Sequence, residues 1–357
     1  MRALVLAGGE GSRLRPITHT NAKQLIPVAG TPILFHALAA ISDAGITEVG
    51  VVVGPPNEDE VRGAVRDGSR WGLDLTFIHQ PAPRGIADAV STAADFVRGQ
   101  PFLLYLGDNV LLEGVTRFVE EFERTAPDAQ IFLTRVAEPQ HFGVVLLEGE
   151  RVVRLVEKPK EYVSDIALVG VYLFRDSILD ACATLRPSWR NEYEITEAIQ
   201  WLIDQGRTVR AELVSGWWKD TGKPEDLLEA NRMMLSLSEG AVDGEVDAAS
   251  VLQGAVVVSP GAKVTRSTVV GPVVIGPDSI VDESTVGPNV SLERGCRVIR
   301  SGIQDSIVME ACTIEGVRGL TGSILGRNVD VRHSGGATRR LIVGDQSRIE
   351  VDQPDPP

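Results

Sequence analysis

A short apolar segment runs into a glycine-rich turn at residues 4–16, which read Leu4-Val5-Leu6-Ala7-Gly8-Gly9-Glu10-Gly11-Ser12-Arg13-Leu14-Arg15-Pro16. A second segment follows soon after, Lys23-Gln24-Leu25-Ile26-Pro27-Val28. Glycine lets a backbone come close to an anion and turn its N–H groups toward it. Arg13 and Lys23 add the positive charge that phosphoryl groups need. We therefore expect a strand that ends in a phosphate-binding loop.

Two common phosphate loops do not fit this segment. A dinucleotide-binding fingerprint needs a third glycine and the start of a helix where Arg13-Leu14-Arg15-Pro16 stands. A P-loop needs a closing Gly-Lys-Ser/Thr, which is missing. A nucleotide loop of another kind remains, and so does a tight turn that binds nothing.

The two segments together resemble the signature of the sugar-1-phosphate nucleotidylyltransferases. The resemblance covers the first ~235 residues and implies transfer of a thymidylyl group from dTTP to α-D-glucose 1-phosphate, with Mg²⁺ as cofactor. It assigns Arg13 and Lys23 as catalytic. It implies nucleotide contacts from Gly8, Gly9, Gly11, Ser12, Arg13, Lys23, Gln24, Gln80, Gly85 and Asp108.

Composition limits the partners. The chain has 357 residues, 43% of them hydrophobic, and a formal net charge of −14. An acidic surface disfavours nucleic acid and anionic membranes as partners. Its three cysteines form no disulfide framework, and we expect buried thiols in a cytoplasmic protein. The N-terminal apolar run is too short for a signal peptide, and no segment is long enough to span a bilayer.

Apolar runs alternate with helical patterns up to about residue 235. Strands are predicted at residues 3–6, 49–53, 75–78, 102–106 and 131–135, and helices at 31–44, 85–97 and 115–125. This alternation predicts an α/β fold with a mostly parallel sheet, and the resemblance makes it Rossmann-like. Ligands of such sheets bind at the carboxyl ends of the strands, where Gly8, Gln80 and Asp108 follow.

The pattern changes near residue 240 to runs of apolar residues spaced six apart, with phase slips between the runs that imply bulges or loops. The runs are Leu252, Val258, Val264 and Val270, then Ile275 and Val281, then Val286, Leu292 and Val298, and then Val308, Ile314 and Leu320. Such a hexapeptide repeat predicts a left-handed parallel β-helix with the aliphatic residue pointing inward. We therefore expect a catalytic domain at 1–238, a β-helix domain at 245–351 and a disordered tail at 352–357.

Two aspartates, one after a predicted strand and one in a turn-like segment, are candidate metal ligands. Asp108 lies in Gly107-Asp108-Asn109, and Asp220 lies in Asp220-Thr221-Gly222. Each is an ordinary turn sequence when taken alone. The resemblance makes the pair Asp108 and Asp220 the holders of Mg²⁺ at the α-phosphate.

The base and the sugar have their own candidate segments. Gln80 can both donate to and accept from a thymine or uracil edge, and Gly85 would let the backbone approach the base. Arg84 and Asp88 depart from the residues usual in the family, which we expect to tune this contact without abolishing it. The sugar-phosphate contacts implied by the resemblance are Asn109, Gly143, Glu157, Lys158, Gly170, Tyr172 and Glu194.

Other activities remain open at this stage. Another nucleotide such as UTP, or another sugar 1-phosphate, would need the same residue types. Acetyl transfer on the β-helix normally needs a histidine, and the repeat region holds only His333. A non-catalytic regulatory subunit is a third alternative.

We expect the β-helix to support a homo-oligomer through its flat faces.

Overall fold

The structure is a computed structural model, and it describes residues 1–332, 341–345 and 347–350. His333 and the predicted tail at 352–357 lie outside the described residues. The chain forms two compact units. We call Met1–Glu10 with Ile33–Asp220 the sheet unit. We call Gly11–Pro32 with the described part of 221–357 the β-helix unit.

The sheet unit is built on a nine-stranded mixed sheet. Its sheet strands are Arg2–Leu6, Glu48–Val53, Asp74–His79, Phe102–Leu106, Ala129–Arg135, Gly143–Glu148, Arg151–Glu157, Ile166–Phe174 and Val209–Leu213. A separate ribbon pairs Asn109–Leu111 with Trp218–Asp220. The α-helices are Ile33–Asp43, Glu58–Val65, Ile86–Thr92, Ala94–Val97, Thr116–Thr125, Ser177–Thr184 and Ile195–Asp204. The predicted α/β fold is confirmed.

The strand that leads into the glycine-rich turn occupies the middle of this sheet. Arg2–Leu6 pairs in parallel with Phe102–Leu106 on one side and with Glu48–Val53 on the other. Asp74–His79 extends the parallel part beyond Glu48–Val53. Ile166–Phe174 then pairs antiparallel to Phe102–Leu106. The carboxyl ends of the parallel strands therefore meet at one edge of the sheet.

Two predicted helices differ in their bounds. The helix predicted at 31–44 begins only at Ile33, because Thr31–Pro32 forms a short antiparallel ribbon with Pro27–Val28. The helix predicted at 85–97 is two helices, Ile86–Thr92 and Ala94–Val97. Gly85 stands outside the first of them with a φ of +105°, which no helical residue adopts.

The β-helix unit contains three sheets of short parallel strands. Before them come the 3₁₀ turns Ser12–Leu14, Ile17–His19 and Lys23–Leu25, the strands Pro27–Val28 and Thr31–Pro32, and the helix Pro224–Ser236. The strands of the sheets are Ala241–Val242, Glu245–Val246, Val251–Gln253, Val256–Val258, Lys263–Thr265, Thr268–Val270, Val273–Ile275, Ile280–Asp282, Thr285–Val286, Val290–Leu292, Arg297–Ile299, Gly302–Gln304, Ser306–Val308, Thr313–Glu315, Leu320–Thr321, Ile324–Leu325, Asp330–Arg332, Ile342–Val343 and Arg348–Glu350. Along most of this series a strand pairs with the third strand that follows it, as the predicted β-helix requires.

The register of the coils corrects one position of the repeat. Leu252 stacks on Val269, and in the same coil Ser267 N donates to Ser250 Oγ, 17 residues earlier. Three full hexads would need 18 residues, so this coil is one residue shorter. Val269, which is completely buried, therefore takes the inward position predicted for Val270, which is only half-buried.

The other positions of the repeat face the interior as predicted. The buried members are Val258, Val264, Ile275, Val281, Val286, Leu292, Val298, Val308, Ile314 and Leu320. Leu252 is half-buried and packs against the same core. Burial of these aliphatic side chains stabilises the β-helix. Among the described residues, no helix is long and apolar enough to cross a membrane.

Candidate active site

In the β-helix unit, Gly11 of the glycine-rich turn packs closely against Thr18 and Lys23. Gly11 has a φ of +61°, and a Cβ on it would lie 2.9 Å from Thr18 Cγ2 and 3.0 Å from Lys23 Cβ. The Thr18 hydroxyl donates to the Gly11 carbonyl at 2.7 Å. Gly11 therefore has both a conformational and a steric reason to be glycine.

Lys23 and Gln24 are buried polar side chains, 5% and 3% exposed. Among the described residues, Gln24 Oε1 is a buried oxygen without a hydrogen-bond partner. An unpaired buried acceptor destabilises the fold by about 1–3 kcal/mol. Such an oxygen is expected where a bound molecule supplies the missing donor.

Arg13 lies against the backbone of Gly222. A Cβ on Gly222 would lie 2.9 Å from Arg13 Nη2 and 3.1 Å from its Cζ. A side chain at position 222 would therefore require the Arg13 guanidinium to shift. Ser12 begins the 3₁₀ turn Ser12–Leu14 that carries Arg13.

The first half of the turn lies at the edge of the sheet where Gln80 follows its own strand. A Cβ on Gly8 would lie 3.4 Å from Gly54 N and 3.9 Å from Gln80 Oε1. Asn57 Nδ2 donates to the Gly9 carbonyl at 3.2 Å. The structure thus brings Gly8 and Gln80 together, as the sheet topology predicted.

Gly85 lies in close backbone contact with Tyr193. A Cβ on Gly85 would lie 2.4 Å from Tyr193 O, and the residue's φ of +105° is also unfavourable for other residues. Tyr193 N donates to the Arg84 carbonyl at 2.7 Å. The glycine is therefore explained by packing against Tyr193, and its predicted contact with a base stays a prediction.

Asp108 and Asp220 are brought close by the short ribbon. Asp220 stands directly opposite Asn109, the residue after Asp108. Asn109 Nδ2 donates to Asp108 Oδ1 at 2.9 Å. Asn109 Oδ1 in turn accepts from Trp218 Nε1 at 2.7 Å and from Gly170 N at 3.3 Å. The amide of Asn109 is held from three sides and orients the Asp108 carboxylate.

This pair fits a divalent metal. The described residues contain no group of three or more His, Cys, Asp or Glu side chains that could hold a metal ion. Mg²⁺ is normally bound through one or two carboxylates together with substrate phosphates, so a larger cluster is not required. The hard oxygen donors of Asp108 and Asp220 suit such an ion.

Several residues predicted to bind the sugar phosphate lie in or beside one charged cluster, formed by Glu157, Lys158, Arg190 and Glu194. Gly143 stands opposite Glu157, and a Cβ on Gly143 would lie 3.0 Å from Glu157 Oε2. Lys158 Nζ lies 3.6 Å from Glu157 Oε1. Gly170 contacts Asn109 so closely that its Cβ would lie 2.6 Å from the amide carbon.

Burial changes the titration of this cluster. Desolvation raises the pKa of Glu157 above its ordinary value, with Lys158 and Arg190 opposing the shift and Glu194 adding to it. Tyr172 is buried as well, and its pKa is raised by desolvation and by the carboxylate of Glu157. Glu157 and Tyr172 therefore share one low-dielectric environment.

The comparisons with known proteins decide the family. The nucleotidyl transferase family model matches residues 2–236. The chain belongs to the nucleotidyl transferase family. The resemblance that the sequence motifs indicated is confirmed, and nucleotidyl transferases of this kind typically use a divalent metal.

Named relatives of this family extend the match to nearly the whole chain. A glucose-1-phosphate thymidylyltransferase of Streptomyces griseus is 50% identical over 354 residues, 98% of this chain and 99% of the relative. One of Streptomyces antibioticus is 46% identical over 355 residues, with 98% and 99% coverage. A solved Bacillus anthracis structure, described as a putative enzyme of the same name in complex with a sucrose, is 33% identical. It covers 68% of this chain and 98% of its own, with a TM-score of 0.63.

Two residues of this nucleotidyl transferase site were missed by the sequence analysis. Arg190 lies 3.3 Å from both Glu157 Oε1 and Glu194 Oε1 and 2.8 Å from Glu192 Oε1, so one guanidinium is shared by three acids. Trp218 orients Asn109 through its indole N–H. Trp218 stands beside the Asp220 motif, which was a usable signal, whereas Arg190 lies in a loop with no local pattern.

Proposed function

We propose that this chain transfers a thymidylyl group from dTTP to α-D-glucose 1-phosphate, releasing pyrophosphate and forming dTDP-glucose. The observation that carries the proposal is the similarity, at 46–50% identity over 98% of the chain, to two relatives named for that reaction. A sugar-phosphate oxygen forms a bond to the α-phosphorus as the bond to pyrophosphate breaks. The attacking phosphate is already ionised near neutral pH, so the reaction needs no general base.

The cations Arg13 and Lys23 would act on the triphosphate. Arg13 stabilises the leaving pyrophosphate, and Lys23 stabilises the charge on the phosphoryl group in transfer. The backbone of Gly8, Gly9, Gly11 and Ser12 supplies N–H donors to phosphate oxygens. The burial of Lys23 supports this role, because a cation with little water around it interacts more strongly with an anion.

The Gln80 amide would read the base: its Oε1 would accept from the N–H of thymine. Gln24, whose buried Oε1 lacks a partner among the described residues, would supply a separate contact to the nucleotide. Gly85 would line the same base site.

Asp108 and Asp220 would hold Mg²⁺. The ion, when bound, neutralises charge on the α-phosphate and supports in-line attack. Asn109 keeps the Asp108 carboxylate in position through the 2.9 Å hydrogen bond.

The charged cluster would bind the second substrate. Glu157 and Glu194 accept hydrogen bonds from glucose hydroxyls, and Lys158 binds the sugar phosphate. The pocket is completed by the other residues that the sequence analysis assigned to the sugar phosphate, Gly143, Gly170, Tyr172 and Asn109. The dense charge pairing around Arg190 supports a site for a polar ligand.

A panel of substrates tests the proposal. Pyrophosphate release is measured for dTTP, UTP, dCTP, GTP and ATP, each with the 1-phosphates of glucose, mannose and N-acetylglucosamine. We expect the highest kcat/KM for dTTP with glucose 1-phosphate, and no turnover when Mg²⁺ is chelated. A higher kcat/KM for another pair would assign a different substrate, and no turnover with any pair would favour a regulatory subunit.

Assembly and location belong to the same proposal. The flat parallel sheets of the β-helix support a homo-oligomer. Light scattering of the intact protein tests this, and a monomer would contradict it.

Cys182, Cys296 and Cys312 are free and buried, which supports a reducing, cytoplasmic location.

A further inference from the structure

We propose that Asp88 is a positioning residue that fixes which end of the Gln80 amide faces the base, and thereby selects bases with an N–H at position 3 over bases with an acceptor there. The inference rests on the proposed function, in which Gln80 contacts the base. Asp88 is one of the two positions in this segment at which the chain departs from the residues usual in the family.

Gln80 and Asp88 form a buried pair in the sheet unit. Gln80 directly follows the strand Asp74–His79, and Asp88 lies in the first turn of the helix Ile86–Thr92. They are 6% and 9% exposed. Gln80 Nε2 donates to Asp88 Oδ2 at 2.7 Å.

This bond permits only one orientation of the amide. The two ends of a glutamine side chain have almost the same shape, so its orientation depends on its neighbours. An ionised carboxylate only accepts hydrogen bonds, so the nitrogen of Gln80 must face Asp88. The opposite orientation would place an oxygen against an oxygen at 2.7 Å.

The other oxygen of Asp88 is also held. Arg84 Nη2 lies 2.9 Å from Asp88 Oδ1, and the Arg84 guanidinium lies over the Tyr193 ring. This contact prevents the carboxylate from rotating away from Gln80. The contacts therefore run in a chain from Arg84 through Asp88 to Gln80.

The acceptor end of Gln80 is left facing the glycine-rich turn. A Cβ on Gly8 would lie 3.9 Å from Gln80 Oε1, whereas the backbone carbonyl of Gln80 lies 2.5 Å from where a Cβ on Gly54 would stand. Within the described residues, no group donates a hydrogen bond to Gln80 Oε1. An acceptor with a fixed direction and no protein donor is suited to a ligand N–H.

The consequence is a preference set by hydrogen bonding. Thymine and uracil carry an N–H at position 3, which can donate a hydrogen bond to Gln80 Oε1. Cytosine carries a lone pair there, which would oppose the same oxygen. A site that leaves polar groups unpaired with the wrong ligand discriminates strongly, whereas a free amide would rotate to suit either base.

The test is Asp88→Asn, which keeps the shape of the side chain but lets it donate as well as accept. The kcat/KM is measured for dTTP, dUTP and dCTP with glucose 1-phosphate. We expect the dTTP-to-dCTP ratio to fall by at least about tenfold, on the scale of one buried hydrogen bond. The dTTP-to-dUTP ratio should stay the same, because both bases carry the N–H.

A paired substitution separates positioning from structural damage. Gln80→Glu alone places two carboxylates in contact and should lower kcat/KM for dTTP sharply. Adding Asp88→Asn to it should recover the preference for dTTP. The amide introduced at position 88 then donates to one oxygen of the carboxylate introduced at position 80, and the other oxygen accepts from the base. Ser91→Ala, on the exposed face of the same helix, is the matched control and should leave every ratio unchanged.

The outcomes are distinct. An unchanged dTTP-to-dCTP ratio in Asp88→Asn, an equal loss for all three nucleotides, or no recovery in the double variant would overturn the role of Asp88. If the wild-type protein itself prefers a purine triphosphate or dCTP, the proposed function fails before any variant is compared.

Discussion

Arg13 and Glu157 show how single residues are placed for their chemistry. Arg13 rests on a glycine in the β-helix unit, 2.9 Å from where a Cβ on Gly222 would stand. Glu157 is held between Lys158, Arg190 and the hydroxyl of Thr196, which donates to it at 3.4 Å. In both cases the charged group is supported by neighbours that a local motif does not reveal.

Removing the Arg13 guanidinium should lower kcat by about 100- to 1000-fold, because one preorganised charge contact to the leaving group is lost. The variant is Arg13→Ala, and steady-state pyrophosphate release measures it. Arg15→Ala, two residues along the same exposed turn, is the control and should change kcat by less than about threefold. Near-normal turnover in Arg13→Ala would remove Arg13 from the mechanism.

The pH dependence of sugar-phosphate binding should follow Glu157. Burial raises its pKa, so Glu157 takes up its proton at a higher pH than an ordinary glutamate does. As the pH falls from about 8 to about 5, the KM for glucose 1-phosphate should therefore rise, because a protonated Glu157 accepts fewer hydrogen bonds from the sugar.

Glu157→Gln separates this effect from titration of the substrate phosphate. The variant should have a higher KM than the wild type at the alkaline end of the profile and a flatter dependence below it. The same pH profile in variant and wild type would show that another group titrates.

At the scale of elements, the β-helix depends on turns that favour glycine. Gly287 has a φ of +101°, and a Cβ on it would lie 2.0 Å from Val270 O and 2.8 Å from Val273 Cγ2. Gly295 also has a positive φ, +69°, but no atom lies within 4 Å of its Cβ position. The first glycine is required by packing between coils, and the second only by its local conformation.

Gly287→Ala should therefore destabilise the β-helix more than Gly295→Ala. We expect Gly287→Ala to lower the free energy of unfolding by about 3 kcal/mol or more, since the coils must separate to admit a methyl group. Gly295→Ala should cost about 1 kcal/mol. Chemical denaturation of both variants measures the difference, and equal losses would contradict the packing argument.

At the scale of the whole molecule, the glycine-rich loop from Gly11 onward and the β-helix belong to one compact unit although they are far apart in sequence. Asn231, on the helix Pro224–Ser236, is 1% exposed and accepts from Ala29 N at 2.8 Å and from Ser291 Oγ at 2.9 Å. Asn21 Nδ2 donates to Asp345 Oδ1 at 2.9 Å. The segment that carries Arg13 and Lys23 is thus supported by residues that follow it by more than 200 positions.

Asn231→Ala should disturb this support. It leaves the Ala29 N–H and the Ser291 hydroxyl without their buried acceptor, which should lower the free energy of unfolding by about 2–4 kcal/mol. Ser291→Ala removes one of the two bonds and should cost about 1 kcal/mol. Denaturant unfolding compares the two, and an Asn231→Ala variant as stable as Ser291→Ala would show that the amide is not shared between the two segments.

Local patterns in the sequence were sufficient for much of the fold. Alternating apolar runs located the parallel strands, because a strand buried on both faces needs an unbroken apolar stretch. The hexapeptide period predicted the β-helix, because each coil repeats the same inward positions. The sequence shows that the phase of the repeat slips before Ile275, but it does not show whether Val269 or Val270 faces inward, and only stacking against Leu252 selects Val269. The domain division at 1–238 and 245–351 stays a prediction.

The amino-acid sequence by itself determined the family, the strand-and-helix order, the β-helix and the residue types at the candidate site. Each of these depends on neighbouring residues or on a short period along the chain. Only the tertiary structure decided that Asp88 contacts Gln80, that Arg190 pairs with Glu157 and Glu194, and that residues 11–32 pack with the β-helix unit. These contacts depend on distances and directions between side chains from different elements, and packing sets those directions only when the chain is folded.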